Sequence, residues 1–225
     1  MTRPILTLLS LLALAASSFA LADEKFEEAS IRLEQNATDE DVEVVFEATS
    51  GDDGLAALRV SAPDGRVVID FRSPDSKLGI RSFVLESPER INDGRIQAAF
   101  PAGVYTFAGS TVSGEKLAAK VTLSHSLPPT ASFVRPSPKD LDIPVKGLQL
   151  KWGAPKGLAS CIVILEHEKT GAKVLNVTLP GAATTLAVPD GLLVPGTEYK
   201  LEIGTVGRDG NRSFVETTFK TAGRK

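Results

Sequence analysis

The chain has 225 residues, with 25 Lys or Arg against 28 Asp or Glu for a formal net charge of −3, 42% hydrophobic residues and one cysteine. Length and apolar content suit one large or two ordinary domains. The lone cysteine excludes an intramolecular disulfide, and a slightly acidic chain without a basic stripe interleaved with aromatics argues against nucleic acid as a partner.

Charge is uneven along the chain. Residues 23–127 hold nineteen acids against eleven bases, and residues 128–225 nine against thirteen. That asymmetry suits docking of the two halves on each other, as well as two ordinary solvated surfaces.

The first 22 residues read as a secretory signal peptide. Arg3 gives the positive flank, Ile5 to Phe19 is broken only by Thr7, Ser10, Ser17 and Ser18, and Ala20-Leu21-Ala22 supplies small residues at a cleavage site. The apolar run is shorter than the roughly 20 residues that cross a bilayer, and the chain has no second run of that length. Cleavage near Ala22 is therefore expected, with no membrane span, leaving an extracytoplasmic chain that is periplasmic or secreted.

From Phe26 onward the pattern is strands and turns. Ser30 to Gln35 alternates, and Val42, Val44, Phe46 and Ala48 share one side of the next strand. Leu55 to Ala62 and Arg66 to Phe71 flank Pro63-Asp64-Gly65, in which Pro presets φ and Gly takes the positive-φ position of a hairpin turn. Gly79 to Glu86 is a further strand, and Asp93 to Phe100 reads as one helical turn capped by Asp93 and ended by Pro101. A strand into Gly109, a turn at Ser113-Gly114 and a last strand from Leu117 to His125 complete this half.

Pro128-Pro129 and Pro136-Ser137-Pro138 bracket a change of domain. Prolines keep such a connection extended and stiff, limiting the angles between the halves. Seven strands follow: 131–135, 147–152, 160–168, 173–179, 184–188, 198–206 and 212–221. The segment Leu193-Val-Pro-Gly-Thr-Glu-Tyr199 feeds a run in which Tyr199, Leu201 and Ile203 alternate with Lys200 and Glu202, one face apolar and the other charged. A buried tyrosine must satisfy its hydroxyl, and in Greek-key sandwiches the tyrosine here bonds backbone a few residues upstream, near Leu193. Pro101, Gly103 and Tyr105 are a weak echo of this corner in the first half.

Residues 129 to 222 resemble a fibronectin type III domain. Leu148-Gln-Leu-Lys-Trp152 is similar to that family's second strand with its core tryptophan, and Leu193 to Tyr199 to its tyrosine corner; the proline-rich entry and Phe219-Lys-Thr221 fit as well. Cys161 and Ile162 depart from the tyrosine that the family often places on the third strand. The first half resembles an exported bacterial domain of unknown role, through Phe100-Pro-Ala-Gly-Val-Tyr105 and Leu123-Ser-His125-Ser-Leu-Pro128. The expected fold class is thus all-β: two tandem β-sandwich domains, residues 23–127 and 128–225, the second a seven-stranded Greek key.

Residues for catalysis are few. The histidines are His125 and His167, and neither a Gly-x-Ser-x-Gly elbow nor a His-Glu-x-x-His helix occurs. His125 is read as packing near the domain junction, His167 as an edge residue, and Cys161, among Ile162 to Leu165, as core. Two acidic loops, Asn36 to Asp41 and Ser50 to Gly54, offer oxygen ligands but lack the spacing of a calcium loop. Gly207 to Arg212 reads as an exposed basic hairpin loop; its Arg-Asp-Gly order carries no integrin motif, and Asp-Gly is ordinary turn chemistry. Asn36, Asn176 and Asn211 each begin a glycosylation sequon.

No catalytic, metal-ligating or cofactor-binding residue is assigned, and no cofactor is expected. The function this implies is a non-catalytic interaction or structural protein that binds a protein or polysaccharide of the envelope or extracellular space. The alternative is an enzyme or calcium-dependent ligand-binding accessory protein using the acidic first half. That alternative requires a pocket gathering at least three of Asp39, Asp41, Asp52, Asp53, Asp64 and Asp70.

Overall fold

A computed structural model describes residues 25–73, 77–138 and 140–223. The leader expected over residues 1–22 lies outside them.

The first half contributes strands β1 (Glu28–Asn36), β2 (Asp41–Thr49), β3 (Leu55–Ser61), β4 (Val67–Arg72), β5 (Ser82–Glu86) and β6 (Arg90–Ile91), helix α1 (Arg95–Ala99), then β7 (Gly103–Thr111) and β8 (Lys116–Leu123). The sheet β4-β3-β7-β8 faces β1-β2-β5 across a core holding Leu33, Val44, Phe46, Val60, Tyr105 and Phe107. Alternation explains that core: Val42, Val44, Phe46 and Ala48 are all buried, as period-2 patterning requires. The hairpin at 63–65 closes through Ala62 N–H to the Arg66 carbonyl at 2.8 Å, with Gly65 at φ 84°.

Two local expectations need correction. The cap of α1 is Gly94, in the left-handed region, and no side chain caps it; Asp93 instead accepts from the Arg95 N–H at 3.2 Å, one residue inside. The last strand stops at Leu123, leaving His125 beyond it, where its Nε2 meets the Phe100 carbonyl at 2.8 Å.

The second half holds β9 (Ser132–Arg135), β10 (Gln149–Gly153), β11 (Ser160–His167), β12 (Ala172–Pro180), β13 (Thr185–Ala187), β14 (Glu198–Val206) and β15 (Arg212–Lys220). Three strands, β13-β10-β9, face four, β12-β11-β14-β15, over a separate core around Trp152, Val163, Leu201, Ile203 and Phe219. The chain is an all-β sandwich protein, and this half has the fibronectin type III-like arrangement. Val194 N–H donates to the Tyr199 hydroxyl at 2.9 Å, one residue from Leu193, near which the backbone bond was expected. In the first half the Tyr105 hydroxyl donates to the Pro101 carbonyl at 3.1 Å, so the echo of the corner is structural.

The halves share a sheet. β1 pairs in parallel with β15, placing Glu34 beside Arg212, Gln35 beside Ser213 and Asn36 beside Phe214, and the sheet runs β12-β11-β14-β15-β1-β2-β5. Each half would otherwise end in a free edge at this position; pairing the edges satisfies both and removes a site for unwanted strand addition. The connection is tied down as well. Ser213 Oγ donates to the Pro128 carbonyl at 2.6 Å, and Thr205 Oγ1 to the Pro129 carbonyl at 2.8 Å.

Asn211 holds the centre of this junction. It is 1% exposed; its Oδ1 accepts from the Leu33 N–H at 2.8 Å, and its Nδ2 reaches the carbonyls of Ser126 at 3.0 Å and Ser124 at 3.1 Å. Ser124 Oγ donates to Asp209 at 2.5 Å. The loop read as exposed is therefore half committed to the junction, because its asparagine replaces backbone partners that the linker and β1 would otherwise lack.

Candidate interaction face

Pairing β1 with β15 creates one outer surface that belongs to both halves. Cross-strand register fixes its rows: Thr178, Ile162, Gly204, Phe214, Asn36 and Asp41 follow one another from β12 to β2. Ile162 and Ile164 point outward, opposite the core residues Val163 and Leu165, yet both are buried. Phe214 lies over Gly204, where an added Cβ would sit 2.5 Å from the ring, so glycine is required there for the close approach.

Charged side chains cover this apolar floor. In the second half Lys200 Nζ lies 2.7 Å from Glu202, 3.4 Å from Glu166 and 3.6 Å from Glu216. Burial disfavours its charge, but the Glu202, Glu216 and Glu166 carboxylates outweigh that and push its pKa above the usual lysine range. At the junction Glu34 is held by Arg32 at 2.6 Å and by Arg212 at 3.0 Å. Arg32 also reaches Glu47 at 3.1 Å.

Glu43 stands apart. Burial, and then the carboxylates of Glu86, Glu34, Glu89 and Asp41, push its pKa up to about 7. A carboxyl so placed is partly protonated near neutrality, and can both donate and accept a hydrogen bond. The groove that these groups line has a volume of about 520 Å³ and takes its walls from β1, β2 and β5 on one side and β11, β12, β14 and β15 on the other.

The other candidate residues lie elsewhere. Cys161 is fully buried, its thiol raised by burial with the Trp152 indole partly offsetting this, and its Sγ is 3.7 Å from the Gly181 carbonyl. His167 packs against the Tyr199 ring at 5.9 Å. Among the described residues, no hydrogen bond joins His125, His167 and Cys161.

The acidic loops use their oxygens internally. Asn36 Oδ1 accepts from the Thr38 N–H at 3.0 Å and its amide donates to Asp39 at 3.0 Å. Asp53 accepts from Ser113, and Asp52 lies 3.5 Å from Arg81. Asp64 pairs with Arg66, and Asp70 with Arg59 and Arg72. Of the six first-half aspartates on which the alternative reading rests, the groove takes in Asp41 alone. Among the described residues, no group of three or more His, Cys, Asp or Glu is placed to hold a metal ion, and no helix is long and apolar enough to cross a membrane.

No protein-family model matches the sequence, and no curated protein matches it. Among solved structures, the fibronectin(III)-like modules of Clostridium thermocellum CbhA align over 92% of this chain and 93% of theirs, at 10% identity and a TM-score of 0.35. A segment of two fibronectin type III domains from chicken tenascin aligns over 88% of this chain and 100% of its own, at 16% identity and a TM-score of 0.34. CopC from Methylosinus trichosporium OB3b aligns over 42% of this chain and 96% of its own, at 22% identity and a TM-score of 0.32. Superpositions this loose say nothing of activity; the sandwich assignment stands on the strand pairing and cores described above.

Proposed function

We propose that this is an exported, non-catalytic interaction protein whose leader ends near Ala22. Its two sandwich modules, residues 23–127 and 128–225, present one shared face to a protein or polysaccharide partner in the envelope or outside the cell. The observation that supports this best is the groove of about 520 Å³ with walls from both halves. Such a groove keeps its shape only if the angle between its halves is fixed, and the β1–β15 pairing and the Asn211 bonds fix it. Its side chains are hydrogen-bonding groups over an apolar floor, paired with cations on the second-half side and at the junction and left net acidic around Glu43, which suits reversible contact with an extended polar chain.

Two variants test this without touching either core: Lys173→Glu and Asn176→Arg, both on the exposed groove wall of β12. Binding of the purified protein to immobilised envelope polysaccharides and to fractionated envelope proteins is measured for wild type and both variants. A partner held by wild type and released by both supports the reading. Equal binding by all three removes the groove from it.

A second reading, enzyme action on a polysaccharide, draws on Glu43 alone, since a carboxyl raised to about 7 beside ionised neighbours is a proton donor in waiting. Cleavage of an envelope glycan by wild type and not by Glu43→Gln would replace the binding reading with this one.

A further inference from the structure

The joint sheet has two ends, and they are built differently. At one end β12 carries Lys173, closes on Pro180, pairs with β11 through a register irregularity at Leu165/Glu166, and turns Asn176 and Thr178 outward. These are the devices by which edge strands are kept from adding neighbours. At the other end β5 is paired, among the described residues, on one side only, to β2, in a regular register. It has no Lys and no Pro within Ser82–Glu86, and Val84 is 54% and Leu85 39% exposed. An unprotected strand edge with exposed apolar residues is a template for another strand.

The sequence of β5 says which strand. Antiparallel self-pairing about Val84 sets Val84 against Val84, Phe83 of one copy against Leu85 of the other, and Ser82 against Glu86. Apolar groups meet apolar groups, no like charges face each other, and the arrangement closes by a two-fold axis normal to the sheet. Pro88 then stops the ladder, so that pairing is confined to β5 and does not run on into β6.

We propose that β5 is the dimerisation edge of this protein: a second copy adds its own β5 in antiparallel register about Val84, extending the joint sheet across both molecules. The proposal concerns an edge outside the groove and does not depend on the groove having a ligand.

The test is the mass of the purified protein in solution across a wide concentration range, by sedimentation or light scattering. Wild type is expected to rise from the mass of one chain to that of two, and Val84→Lys to stay at one chain with unchanged circular dichroism and melting. Val84→Cys is expected to form a disulfide-linked dimer on mild oxidation, because paired Cα atoms at about 4.5 or 5.5 Å fall within disulfide reach. Asn176→Cys on β12 is expected to form none, and the buried Cys161 to stay silent in every variant. Wild type that remains a single chain at all concentrations, Val84→Lys that dimerises like wild type, or a persisting dimer in which Val84→Cys does not cross-link would each overturn the proposal.

Discussion

Glu34 and Glu43 stand directly opposite each other on β1 and β2, yet they face unlike surroundings. Glu34 is clasped by Arg32 and Arg212. Glu43, among the described residues, has no cation within ion-pair distance and sits between Glu34, Glu86, Glu89 and Asp41, so that burial and like charge hold its proton on up to about pH 7. The folded chain thus binds this proton more tightly than the unfolded chain, whose glutamate titrates near 4.5. The stability that this contributes is complete below pH 4.5 and is lost as the pH rises to about 7. Glu43→Gln keeps the neutral shape at all pH values. Urea midpoints at pH 4.5 and pH 8 are expected to show wild type losing about 1 kcal/mol relative to the variant, the full linkage value being reduced because the site opens to solvent. Parallel pH profiles for the two proteins would mean that Glu43 does not titrate in this window.

Asn211 makes the junction a buried polar network, which is costly when only partly satisfied. Asn211→Ala orphans the Leu33 N–H and weakens the seating of the Ser124 and Ser126 carbonyls. A loss of about 3 kcal/mol is expected in chemical denaturation. Asn211→Asp keeps the acceptor for Leu33 but turns a carboxylate toward carbonyl oxygens, so it is expected to restore little. A loss in Asn211→Ala under about 0.5 kcal/mol, the range of an ordinary surface change, would show that the halves are held by other contacts.

The two tyrosine corners make opposite bonds, which predicts unequal costs. The Tyr199 hydroxyl accepts from the Val194 N–H, so Tyr199→Phe leaves a backbone donor without its partner. The Tyr105 hydroxyl donates to the Pro101 carbonyl, and Tyr105→Phe leaves only an under-used acceptor. Unpaired buried N–H groups are tolerated less well than under-satisfied carbonyls. Tyr199→Phe is expected to cost about 2 kcal/mol and Tyr105→Phe about 1 kcal/mol in urea unfolding. The reverse order would show that surrounding packing, and not bond polarity, sets the cost.

Most of the strands are legible in the sequence because each is a local matter of alternation and turn chemistry. Glu198–Val206 follows from Tyr199, Leu201 and Ile203 alone, and the 63–65 hairpin from Pro63 and Gly65. The parallel register of β1 on β15 is not local: Gln35 bonds Ser213 across 178 positions, and alternation describes each strand without naming its neighbour. Asn211 hides for a related reason, since its place after Asp209-Gly210 is good hairpin chemistry and only the fold sends its side chain to Leu33. The groove left one sign. Cys161 to Leu165 is apolar on both faces, as is Phe214-Val215, and a strand with two apolar faces is one whose outer face is also covered.

Gly204 and Phe214 offer the sharpest test of that covered outer face. They are cross-strand partners on β14 and β15, and a Cβ on Gly204 would meet the Phe214 ring at 2.5 Å. Gly204→Ala is therefore expected to cost about 2 kcal/mol by overpacking, even though alanine suits a strand better than glycine in general. Phe214→Ala removes the ring that packs over Gly204, in the same cross-strand row as Ile162, and is expected to cost about 1–2 kcal/mol, less than a full core deletion because the ring is only half-buried. Combining them removes the clash along with the ring. The double variant should then be more stable than the sum of the two losses by about 1–2 kcal/mol, a coupling measurable in a denaturation cycle. Simple additivity would mean that the ring turns aside from an added methyl group at no cost and that the glycine is not required for the close approach.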